Sequence, residues 1–200
     1  MNNASLVFTP AAQQAQAERG SAKAYAQRIE EGFPDAVTPE LAAFIAEMDT
    51  VFLGTANAQG APYIQHRGGP KGFIKVIDAH TLGFADYRGN RQYITTGNLA
   101  DNPKAYLFLI DYAQRRRIKI WGEARVVADD AGLTAKLMPE NYKARPEQAI
   151  LFTVSAWDAN CPQHIPQRFE AADVAALLAD RDRRILALEA EVRALRRPTP

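Results

Sequence analysis

The chain has 200 residues, 47% of them hydrophobic, which is material for one domain with additions and for a sizeable core. Its 24 Lys and Arg stand against 23 Asp and Glu, so no bulk positive field draws it to nucleic acid. Cys161 is the one cysteine and excludes an intrachain disulfide; with no basic-then-apolar leader and no apolar run of about 18 residues, a cytoplasmic protein without a membrane partner is expected.

In chain order, residues 11–31 are rich in Ala, Gln, Glu and Arg, interrupted at Gly20 and at Gly32-Phe33-Pro34, and predict one or two short surface helices. Thr38-Pro39-Glu40 is a helix start, with Thr38 as cap and Pro39 at the first helical position. Leu41, Phe44, Ile45 and Met48 then form an apolar stripe, which fits packing on a core better than a lid. Three apolar runs follow, residues 51–56, 72–77 and 81–85, divided by Gly, Asn, Asp and Pro clusters, and they read as consecutive antiparallel strands. Two of the turns, HRGGPKG at 66–72 and DYRGNRQ at 86–92, are more cationic and glycine-rich than a turn requires, and together they suit an anion.

Residues 93–97 are β-prone, and residues 98–103 read as a loop or broken helix ended by Pro103. AYLFLID at 105–111 suits a strand buried on both faces. In the next strand, 118–127, alternation puts Arg117, Lys119 and Trp121 on one face and Ile118, Ile120 and Gly122 on the other. Residues 129–145 are helical or loop, 147–154 apolar, and WDANCPQHIPQRF at 157–169 reads as an ordered loop. From Ala171 the apolar spacing alternates between three and four through Val174, Leu178, Ile185, Leu188, Val192 and Leu195, with Arg181 at a seam position. That is a heptad helix, packing on its own barrel or on a second chain, with a frayed end over 196–200. The expected organisation is a helical segment at 1–37, a main domain at 38–169 and the heptad helix at 170–200.

The order GFIKV, LGFAD, YRGNRQ, NLADNPKAYLFLID and RRRIKIWGEARVV, over residues 66–120 and beyond, resembles the flavin-binding split barrel of the pyridoxamine 5'-phosphate oxidase-like family. The resemblance implies a mainly β, α+β fold: an antiparallel split β-barrel with flanking helices and a C-terminal heptad helix. It implies FMN as cofactor and a homodimer with flavin at the interface. Lys75 stands where the family has a phosphate-contacting lysine, and Arg91 matches the first member of its arginine-lysine pair. Gln92 replaces the lysine; Arg88 and the Gly89-Asn90 backbone compensate through charge-assisted bonds and N–H groups. Without the resemblance, Lys75, Arg88 and Arg91 would read as solvated hairpin charges.

The strand from Arg67 to Ile74, entered through His66, corresponds to the one that runs along the ring, and Gly68 and Gly69 would allow close approach. Phe84 and Ala85 correspond to the pair after the family's second strand. Arg117 falls where the oxidases place a ring-contacting glutamine, and Trp157 and Arg168 are spaced like the tryptophan and arginine that close the site. Cys161 and His164 supply two metal ligands where zinc takes three or four, so no metal is expected and both are read as loop lining. IPQRF at 165–169 does not reproduce the substrate-binding end of the oxidases. The expectation is therefore an FMN-dependent oxidoreductase acting with an unidentified small-molecule substrate or electron donor. The alternatives are a diverged pyridoxine or pyridoxamine 5'-phosphate oxidase, and a non-catalytic flavin, deazaflavin or haem binder.

Overall fold

The computed structural model describes residues 2–196, so of the end expected to fray over 196–200 all but Arg196 lies outside the described residues. Two compact units are present: one runs to Asp111 and resumes over Arg116–Pro162, the other comprises Tyr112–Arg115 and the chain from Gln163 onward.

In the first unit three short helices, α1 (Ala4–Val7), α2 (Pro10–Glu18) and α3 (Ala22–Glu31), precede α4 (Pro39–Ala46). Thr38 Oγ1 accepts the Leu41 N–H at 3.3 Å, Pro39 occupies the first turn, and Leu41, Phe44 and Ile45 are buried, so the apolar stripe of α4 packs on the core. Thr38→Ala is expected to cost about 1 kcal/mol, read as a lower urea midpoint at constant slope.

The strands β1 (Thr50–Ala56), β2 (Pro62–Gly68), β3 (Lys75–Val76), β4 (Thr81–Tyr87), β5 (Lys104–Asp111), β6 (Arg116–Val127) and β7 (Pro146–Asn160) form one antiparallel sheet in the order β2-β1-β5-β6-β7-β4-β3. Period-two alternation puts Val51 and Leu53 of β1, Leu107 and Leu109 of β5, Ile118 and Ile120 of β6, and Ile150 and Phe152 of β7 in one core. Between β6 and β7 the register shifts at Trp121/Gly122, where Gly122 lies against the Thr153 carbonyl and the Phe152 ring. This is the mainly β architecture with flanking helices expected above.

Local readings differ at four places. The run 51–85 is not a simple meander: β2 intervenes, and β2 and β3 stand at opposite ends of the strand order. HRGGPKG is accordingly not all turn, since His66, Arg67 and Gly68 finish β2, an edge strand whose polar alternation carries no apolar run to announce it. The β-prone segment 93–97 enters a helix, α5 (Ile94–Asp101), because Thr95, Asn98 and Leu99 share a buried side and Asn98 Nδ2 donates to Thr55 Oγ1 at 3.0 Å. Tertiary contact overrides the strand preference of Ile and Thr there. β5 is buried at alternate residues rather than on both faces, and β7 extends through Trp157 to Asn160, so the loop expected at 157–169 begins later. α6 (Ala131–Leu137) starts at Asp130, whose carboxylate accepts the Leu133 N–H at 2.7 Å.

In the second unit, α7 (Ala171–Leu195) is one unbroken helix with no buried residue. Arg168 also belongs to this unit, its guanidinium 4.7 Å from the Tyr112 ring centroid.

Candidate functional site

Two adjoining cavities of about 190 and 210 Å³ open between β2, β4 and the segment 87–96, sharing Gln65, Arg67, Asp86, Tyr87 and Gly89. Alternation along β2 presents Tyr63, Gln65 and Arg67 on its half-buried side. Arg67 Nη1 donates to Asp86 Oδ1, and Gln148 Nε2 donates to Asp86 Oδ2 at 2.9 Å and to Thr96 Oγ1 at 3.1 Å. A carboxylate thus sits at the floor of the cleft with an arginine and an amide holding it.

The rim is built by the turn after β4. Asn90 Oδ1 accepts the Gln92 N–H at 3.2 Å, and Arg91 (φ 63°) and Tyr93 (φ 52°) take left-handed backbone conformations that turn the chain into α5. No side chain caps α5, so its first N–H groups have neither an intrahelical acceptor nor a capping oxygen, and Ile94, Thr95 and Thr96 line the first cavity. Arg91 Nε donates to Tyr93 Oη at 3.3 Å; this bond, with the charges of Tyr93 and Glu147, raises the Arg91 pKa. Arg88 lies 3.7 Å from Glu147.

Three buried polar atoms on the lining of the first cavity have no hydrogen-bond partner among the described residues: Arg67 Nε, Tyr87 Oη and Thr95 Oγ1. Burial, and then the neighbouring Tyr142, raise the Tyr87 pKa, so the phenol keeps its proton and can donate it. A buried polar group without a partner costs on the order of 1–3 kcal/mol, so the cavity is suited to a polar ligand that completes these bonds. The second cavity is flatter in chemistry, with Gly68, Phe73, Phe84 and Ala85 alongside His66 and Arg88. One end of the cleft therefore offers cations, hydroxyls and helix N–H groups, and the other an apolar wall.

Of the residues singled out in the sequence, His66, Arg67, Gly68, Phe84, Ala85, Arg88, Asn90, Arg91 and Gln92 line this cleft. Gly69 does not; its α-carbon lies against the Phe73 side chain, where a Cβ would fall 2.8 Å from Phe73 Cβ. Lys75 pairs with Gly83 on the far side of β4 and lines neither cavity. Arg117 lies on the face of β6 with Lys119 and Trp121, where its charge acts on Tyr106. Burial and the Asp158 carboxylate push Tyr106 up to about 12 against the opposing effect of Arg117. Trp157 packs against the core and donates its indole N–H to the Ala36 carbonyl at 2.8 Å. Cys161 is exposed.

Tyr63, Gln65, Asp86, Tyr87, Thr95, Thr96, Glu147 and Gln148 were not anticipated. Asp86 and Tyr87 stand inside the cationic DYRGNRQ run, but Asp86 pairs with Arg67 of β2 and not with the arginines of its own run. Gln148 reaches the site only through the β4–β7 pairing, which no local pattern encodes.

A family model described as pyridoxamine 5'-phosphate oxidase matches residues 37–161. No curated protein matches the chain. Among solved structures, HupZ of Group A Streptococcus is similar with a TM-score of 0.51 at 17% identity, over 66% of this chain and 98% of that one. An FMN-binding protein from Syntrophomonas wolfei has a TM-score of 0.48 at 11% identity, covering 72% of this chain and 97% of that one. A protein of Clostridium acetobutylicum related to general stress protein 26 has 0.46 at 15%, covering 68% and 94%. At 17% identity the likeness to HupZ shows the fold alone.

Proposed function

Because the chain belongs to the pyridoxamine 5'-phosphate oxidase family, whose model spans more than half of it, we propose that it is an FMN-binding flavoprotein oxidoreductase acting on a small molecule. The observation that carries the reading is the uncapped start of α5, facing a cavity that also holds Arg91 and the unpartnered Arg67 Nε and Thr95 Oγ1. A helix N-terminus with a cation and hydroxyls beside it is a place for a terminal phosphate. The cleft residues fit the cofactor: Arg91, Thr95, Thr96 and the first N–H groups of α5 would hold the phosphate, and Gly68, Phe84 and Ala85 would flank the ring. Bound there, FMN supplies hydride or electron transfer, while the protein positions it and sets its electrostatic surroundings.

The Arg67–Asp86–Gln148 array keeps one cation of the cleft neutralised and fixed, so a ligand meets a shaped wall rather than mobile charge. We infer a cytoplasmic homodimer. No helix among the described residues is long and apolar enough to cross a membrane. The test is titration of flavin-free protein with FMN, followed by quenching of flavin fluorescence. Arg91→Ala is expected to weaken binding about tenfold or more through loss of a charge-assisted bond, and Lys75→Ala to keep most of the affinity. Equal affinity in Arg91→Ala and the parent protein rejects the phosphate assignment.

A further inference from the structure

We propose that α7 pairs in parallel and in register with α7 of a second copy of this chain, as a short two-stranded coiled coil. The proposal does not depend on the flavin assignment. No residue of α7 is buried, and its apolar residues stand in the open: Leu188 is 51% and Leu195 78% exposed. A 25-residue helix that leaves such a row in water lacks its packing partner.

The heptad frame identifies that partner. Leu178, Ile185 and Val192 occupy a positions, and Val174, Leu188 and Leu195 occupy d positions. Ile185, Leu188 and Val192 form one exposed apolar stripe along the helix, flanked by Glu189 and Arg193. From Ile185 onward the seam has β-branched residues at a, Ile185 and Val192, with leucine at d, Leu188 and Leu195, the combination that two parallel strands accept best.

Charge gives the direction. In a parallel coil each g residue meets the e residue five positions on in the other helix. Arg184 at g then meets Glu189 at e, and Glu191 at g meets Arg196 at e, so both contacts join opposite charges. An antiparallel coil over the same apolar residues sets e against e and g against g, so the attraction of Arg184 for Glu191 is offset by Asp182 meeting Glu189, two acids. Sliding by one heptad would set Arg184 against Arg196 and Glu191 against Glu189, so the same charges hold the register; in register Arg181 at d meets Arg181 of the second copy, and their long stems carry the two like charges to the edges of the seam at a cost in stability.

The test uses the full chain in a Cys161→Ser background, with Leu188→Cys at d or Ala190→Cys at the outward f position. In a glutathione redox buffer the effective concentration of the two thiols across copies is expected to be about tenfold or more higher at 188 than at 190. Arg184→Glu, added to Leu188→Cys, should lower that value by setting a second acid against Glu189, and the further change Glu189→Arg should restore it. Both cysteine sites lie on an exposed helix, so neither threatens the fold. Equal values at 188 and 190, or no recovery in the charge-swapped variant, overturn the proposal.

Discussion

Arg67→Ala should lower the free energy of unfolding by about 3 kcal/mol, far more than the loss of a surface ion pair. The arginine and Asp86 side chains retain only 18% and 11% of their exposure, so their charges face each other with little water between them. Taking the guanidinium away leaves the carboxylate with the Gln148 amide as its remaining side-chain donor, and an uncompensated buried charge is costlier than a missing attraction. The signature is non-additivity: Arg67→Ala with Asp86→Ala should be less destabilised than Arg67→Ala alone. Urea denaturation of the three variants measures it. If the double change costs the sum of the two single ones, Asp86 does not depend on Arg67.

Gly122→Ala should be at least as severe, at about 3 kcal/mol, for a steric reason. A Cβ at this residue falls inside contact distance of the Thr153 carbonyl oxygen and 2.6 Å from the Phe152 ring. The first obstacle is backbone in the β6–β7 ladder and the second is a fully buried side chain, so neither yields without disturbing the core. Gly97→Ala is the control: its Cβ meets nothing within 4 Å on α5, and alanine is the better helix former. Thermal melts of both should diverge in sign. A Gly122→Ala loss under about 1 kcal/mol would mean that the bulge absorbs the methyl group by a local shift.

What the sequence disclosed follows from how each element is stabilised. α4 was legible because its cap, its proline and its apolar stripe lie close together in the chain. β1, β5 and β6 announced themselves by apolar runs, and the alternation of Arg117, Lys119 and Trp121 against Ile118 and Ile120 came through in the structure. β2 and α5 were hidden for opposite reasons. An edge strand facing a polar cleft has no need of an apolar face, so Tyr63, Gln65 and Arg67 leave no hydrophobic signal. The Tyr-Ile-Thr-Thr start of α5 carries strand preference and is made helical by contacts with residues distant in the chain, of which the Asn98–Thr55 bond is one. The same division runs through the site. The cationic turns were visible locally, whereas the carboxylate, the glutamine and the threonines that give the cleft its shape are brought together by strand pairing.

β2 stands at one end of the sheet and β4 next to the other, yet Arg67 on the first grips Asp86 on the second. The sheet therefore meets itself here through side chains, not through a ladder of amide bonds, and this meeting line is where the cleft opens. Such a join can come apart without unzipping any strand pair, so a molecule bound in the cleft is expected to hold it closed. A ligand held at a hundred times its dissociation constant would deepen the closed state by about 2.7 kcal/mol, and that gain would slow solvent exchange at backbone amides along the join while leaving the β5–β6–β7 centre of the sheet indifferent.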